Sequence, residues 1–341
     1  MIIENEFVEE NVRVIDSKRN YWFLRTYGGM TYSDFIRNDY IGFGLNQVPI
    51  KYIEAAESRK DVEAYKRLKE FIEIKENVVS QTATKYTNQL IQFHHQIKIG
   101  DVIIIPNKNS DYYQIGIIKS DVLLIENDNR TFEHDNKNIR FPEKRRNVEW
   151  IESVTKKELQ NDLGGPLNIR STISKINHVS EKIEGLISDV FIKENQMHVI
   201  INIDQNEDIN AFEFNRFLNG LIFFYQELNI ENGVETDEEL FIKIKLQSPG
   251  KLLLKSVKYA AAFGLAYIVA MSSDSEFEGE IGPMKAKFKT TGFGRSLTEF
   301  LDANQRREME MIKFKDSMAK LKVHTLDSEI GNNVEEEGEE N

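Results

Sequence analysis

Cysteine is missing altogether from the 341 residues, which excludes a disulfide framework, a thiol nucleophile and a Cys-ligated zinc site. Long apolar runs are missing too. The stretch YAAAFGLAYIVAM, Tyr259–Met271, has 13 uncharged residues, short of the about 20 that a spanning helix needs, so a buried core helix is expected there rather than membrane insertion. The opening MIIENEFVEE has neither a basic region nor an apolar one ending in a small-residue cleavage site. No secretory leader is read, and the cytoplasm is the expected compartment.

Positive charge is in deficit, with 44 Lys and Arg against 56 Asp and Glu, a net charge of −12. The deficit is uneven: Met1–Trp150 carries 22 cations against 23 acids, and the remainder carries 22 against 33. Seven of those acids lie in DSEIGNNVEEEGEEN, residues 327–341, which lacks the apolar side chains that would offset ordering entropy; a disordered acidic tail is expected. A content of 40% hydrophobic and 29% charged residues otherwise fits a folded globular chain, long enough for two domains.

The first half alternates strand-like and helix-like pieces. YWFLRT and YIGFG are short and aromatic or β-branched, whereas Ile50 to about Lys75 and TKYTNQLIQFHHQI carry helical spacing. GDVIIIPNKNSDYYQIGIIKSDVLLIE reads as a meander, and RNVEWIESV as one more strand. A small, partly closed barrel with helical insertions is the expected N-terminal domain, residues 1–160. NDLGGPLN marks the boundary, within a linker at 161–175. An α+β domain is expected over 176–326, with strands at MHVIINID and ELFIKIKLQ, a helix over AFEFNRFLNGLIFFYQELN, a hairpin from EFEGEIG and KAKFKT, and a long amphipathic helix from Ser296 to about Lys322.

Motifs for nucleotide chemistry are lacking. Gly28-Gly29 follows a strand-like run, yet no Gly-Lys-Ser/Thr and no G-x-G-x-x-G accompanies it. The six histidines have no recognisable triad partners, and no strand-borne acids with a following Glu-x-Lys are evident in the second half. No catalytic residue, metal ligand or cofactor is assigned.

A set of ordered pieces carries a family resemblance: Tyr21-Trp22-Phe23-Leu24-Arg25, Tyr32-Ser33-Asp34-Phe35-Ile36, Ile99-Gly100-Asp101-Val102-Ile103, Tyr113-Gln114-Ile115-Gly116-Ile117 and Arg145-Arg146-Asn147-Val148-Glu149-Trp150. Together, over roughly Asn20 to Leu159, they resemble the PUA-like EVE domain at the N-terminus of Mrr-type restriction proteins. The resemblance implies a bacterial defence-type sensor that binds nucleic acid, a nucleotide or a flipped modified base. A base taken from its stack needs aromatic faces and hydrogen-bonding groups for its edge. Trp22, Arg25, Tyr27, Tyr32 and Phe43 are the expected ligand-binding residues, and Lys18, Arg19, Lys144, Arg145 and Arg146 the expected backbone-phosphate contacts. Trp150 is expected in the core. The C-terminal domain would act as an effector, or assemble with further copies or a protein partner. A divergent restriction-type nuclease and a membrane-acting effector are the alternative readings.

Overall fold

The computed structural model describes residues 12–57, 61–126, 128–163, 169, 171–205, 207–233, 240–245, 250–273 and 299–324. Backbone contacts divide the chain into two units, Lys18–Ile187 and the described parts of Met1–Ser17 with Ser188–Asn341. Each mixes α and β structure.

Strand β1 (Arg13–Val14) belongs to the second unit. The first unit runs β2 (Tyr21–Leu24), α1 (Tyr32–Arg37), β3 (Tyr40–Phe43), α2 (Ile50–Ala55), α3 (Val62–Lys75) and α4 (Ser80–Ile91), which passes into a π turn at Gln92–Gln96. It continues with β4 (Val102–Pro106), β5 (Tyr112–Ile118), β6 (Leu123–Leu124), the hairpin β7 (Thr131–His134) and β8 (Lys137–Arg140), β9 (Lys144–Thr155), α5 (Lys156–Leu163), β10 (Ile173–Lys175) and α6 (Ser180–Ile187). Seven strands form one curled, half-barrel sheet in the order β10-β2-β4-β5-β9-β3, with β6 beside β9. β2 and β4 are parallel; such a pair needs a long crossover, which here holds α1 to α4.

The unbroken apolar run of β4 reflects burial on both faces. Ile103 and Ile105 join Trp22, Leu24, Phe35, Ile41 and Leu68 in one core, while Val102 and Ile104 join Tyr21, Phe23 and Ile115 in another. Leu159, Ile183 and Leu186 close the second core. The expected boundary near Asn161–Asn168 therefore falls inside this unit: Ile173 pairs with Leu24 across β10 and β2, and α6 lies beyond it in the same unit. Without that cover Tyr21 and Phe23 would face water.

In the second unit β1 joins β11 (Val190–Lys193), β12 (Gln196–Ile203), β14 (Gly250–Ser256) and β13 (Leu240–Lys245) in that order, with β15 (Val323–His324) beside β12. Helices α7 (Ala211–Glu231), α8 (Tyr259–Ser273) and α9 (Gln305–Leu321) pack with the sheet around one core. Asn210 caps α7 by accepting from the Phe212 N–H at 2.9 Å. Phe217 and Phe314 stack at 5.4 Å, and Gly220 makes room, since a Cβ there would lie 2.3 Å from the Phe314 ring. α8 is a core helix, as its length implied, with Leu265, Ile268 and Val269 buried. Among the described residues no helix is long and apolar enough to cross a membrane. The amphipathic helix corresponds to α9, which buries Phe314, Met318 and Leu321 but leaves Met309 and Ile312 exposed. The expected EFEGEIG/KAKFKT hairpin and the tail at 327–341 lie outside the described residues.

Candidate functional site

The bend after β2 is a packing device. Tyr27, Gly28 and Gly29 all take left-handed φ values, 51°, 63° and 90°, and a Cβ on Gly29 would fall 2.3 Å from the Lys108 backbone. Thr26 donates its hydroxyl to the Pro106 carbonyl at 2.6 Å. The Tyr27 ring meets Phe132 and His134 edge-on at 5.2 and 5.8 Å; burial pushes its hydroxyl up to about 12, opposed by a hydrogen bond to the Gly44 backbone. The glycines thus serve backbone approach within the fold. Gly29→Ala is expected to cost about 1–3 kcal/mol, from the strained φ and the clash, and to lower the thermal midpoint without loss of secondary structure.

Several residues expected in a ligand pocket are core. Trp22 is fully buried and donates its indole N–H to Asp101 Oδ2 at 2.8 Å; the same carboxylate accepts from the Asn20 and Lys98 N–H groups at 2.9 Å each. Phe43 is buried against Phe93, with centroids 5.9 Å apart. Arg25 is exposed, and its guanidinium donates to the Ile169 carbonyl.

The basic cluster is divided by the strand. Lys144 and Arg146 are each only 1% exposed. Lys144 Nζ donates to the Leu45 carbonyl at 2.9 Å, and burial lowers its ammonium to about 8. Arg146 donates to the carbonyls of Phe93, Ser120 and His94 at 2.9, 2.9 and 2.7 Å. Neither is presented to a phosphate, because residues two apart on a strand share a face and this face points inward. Arg145 points the other way, its guanidinium 4.3 Å from the Tyr40 ring centre and paired with Asp128. Lys18 is exposed, and Arg19 pairs with Glu184 at 3.3 Å.

What remains accessible gathers around α1. A bulge where β5 meets β9 leaves Ile151 without a partner: Gly116 pairs with Trp150 and Ile115 with Glu152. The extra residue brings Ser153, opposite Gln114, onto the face that carries Trp150. Tyr32 donates its hydroxyl to Gln114 Oε1 at 3.4 Å, and Trp150 donates its indole N–H to the Phe35 carbonyl at 3.3 Å. Tyr32 and Trp150 are half-buried. The Trp150 ring lies over Gly116, whose Cβ would sit 2.7 Å from it. Thr31, just before the helix, buries a hydroxyl with no hydrogen-bond partner among the described residues.

The other side of α1 holds guanidinium groups. Asp34 accepts from Arg130 at 2.6 Å and from the Tyr40 hydroxyl. Arg130 also grips Asp128 at 2.7 Å and lies 4.9 Å over Phe141. Hydrogen bonds from Arg130, then Arg145, hold the Asp128 carboxyl well below the usual carboxylate range. Arg130 and Arg140 remain about half exposed. Ring faces, an amide and hydroxyls on one side of a short helix suit a planar ligand, while the guanidiniums on the other side are matched by Asp34, Asp128 and Glu143. Of the expected residues, Tyr32 and Arg145 belong here. Trp150, Gln114 and Arg130 were missed: a bulge leaves no mark in sequence, and Arg130 sits in a polar loop.

This unit is a curled α+β half-barrel, with Tyr32 on the short helix α1 beside Trp150. Residues 25–177, just under half the chain, match a domain of unknown function, DUF8426, and the match falls within Lys18–Ile187. No curated protein and no solved structure matches.

Proposed function

We propose that the unit Lys18–Ile187 is a PUA/EVE-like recognition domain that binds nucleic acid or a modified base, within a defence-type sensor whose second unit is the effector or assembly part. The observation that carries this reading is the junction made by α1, which joins the Tyr32, Trp150 and Gln114 patch to the Arg130 and Arg145 network. Charge supports it: the unit has 26 Lys and Arg against 23 Asp and Glu, net +3, while the rest of the chain has 18 against 33, net −15. The unit that carries the stacking surface is thus the less acidic of the two.

The test is fluorescence anisotropy of the full chain with single-stranded oligonucleotides, with and without modified bases, over a salt series. Tyr32→Ala is expected to weaken binding by about 1–3 kcal/mol through lost stacking. Arg130→Ala should weaken all sequences alike and reduce the salt slope by about one. If the folded protein binds neither oligonucleotide nor nucleotide at low salt, the reading fails.

A further inference from the structure

We infer that β13 is the interface through which two copies of this chain pair, edge to edge and antiparallel, about a two-fold axis at Ile242. Among the described residues β13 has one sheet neighbour, β14, and no strand pairs with its other edge. Exposed edges are normally blunted because they template pairing. This one carries exposed Phe241, 57%, and Ile244, 44%, alternating with lysine. Leu240 and Ile242 lie against the core of the unit, so the strand has an inward apolar face and an outward face of Phe241 and Lys243.

The sequence of the edge is self-complementary in one register. When LFIKI, Leu240 to Ile244, is set antiparallel against itself with Ile242 facing Ile242, Phe241 falls opposite Lys243 and Leu240 opposite Ile244. Aromatic meets cation twice, and the apolar positions meet on the other face. Cross-strand pairs of these kinds stabilise antiparallel sheets, and a two-fold interface requires this reciprocity. No like charges face each other directly. Five residues per copy is a small contact, so the dimer is expected to be weak and to dissociate on dilution.

Analytical ultracentrifugation of the full chain over a concentration series, with two substitutions at one exposed position, tests both the interface and its register. Phe241→Lys sets lysine opposite Lys243 and is expected to weaken dimerisation by roughly tenfold or more. Phe241→Glu sets a carboxylate opposite the same lysine and is expected to keep or tighten the dimer. Circular dichroism melts matching the parent in both variants establish that the fold is intact. A parent that stays monomeric at the highest concentration reached, as when another segment of the chain covers the edge, overturns the inference. So do equal losses in both variants, or a dimer indifferent to Phe241→Lys.

Discussion

Leu265→Asp is expected to leave the protein unfolded or insoluble. Leu265 is fully buried in α8, within the core formed with Phe217, Phe224, Leu252, Leu254 and Phe314. A carboxylate there has no cation to meet it in that core. Burying an unpaired charge costs several kcal/mol even after the group protonates, a large part of the about 5–15 kcal/mol that holds a domain together. Leu265→Ala, which leaves a cavity and no charge, is expected to cost about 2–5 kcal/mol and to yield folded protein with a lowered thermal midpoint. Soluble Leu265→Asp protein melting with the parent would show that α8 is not core.

α8 was legible because length alone separates a spanning helix from a buried one. The strands at Tyr21–Leu24, Val102–Pro106 and Gln196–Ile203 were legible for a similar reason: apolar and β-branched runs bounded by turns admit few alternatives. The candidate site was harder. Trp22 and Phe43 are the residue types that a stacking site needs, but they are also core-formers, and sequence does not say which way a strand faces. The run Lys144-Arg145-Arg146 reads as a basic cluster, yet period two sends two of its three cations inward. Trp150 reads as core and packs against it, yet it is only half-buried, with its indole N–H on the Phe35 carbonyl of α1. The extent of the first unit was hidden because β10 and α6 follow a Gly/Pro-rich segment that looks like a linker, and it is long-range pairing with β2 and packing on Tyr21 and Phe23 that tie them back.

The inward Lys144 gives the last prediction. Its ammonium sits at about 8, lowered chiefly by burial, with Glu143 and Glu76 acting to raise it; in the unfolded chain it titrates near 10.4. Between those values the unfolded state binds more protons than the folded one, so stability rises with pH. A separation of this size corresponds to about 2 kcal/mol gained between pH 8 and pH 10, with little of it present below 8. Tyr27 and Tyr40 act oppositely and later: both hydroxyls are raised by burial, so above pH 10 the unfolded chain loses those protons first and stability falls. Burial lowers the Arg146 guanidinium too, to about 10, so its contribution in the same direction begins only at the top of the window. Lys144→Met removes the buried charge but leaves the Leu45 carbonyl without its donor, at about 1–3 kcal/mol. The variant should therefore lie close to the parent at pH 7 and fall below it by pH 10, with a flat profile between 8 and 10. Urea unfolding of both proteins at each pH unit measures this directly. Parallel profiles for parent and variant would mean that Lys144 is not the titrating group.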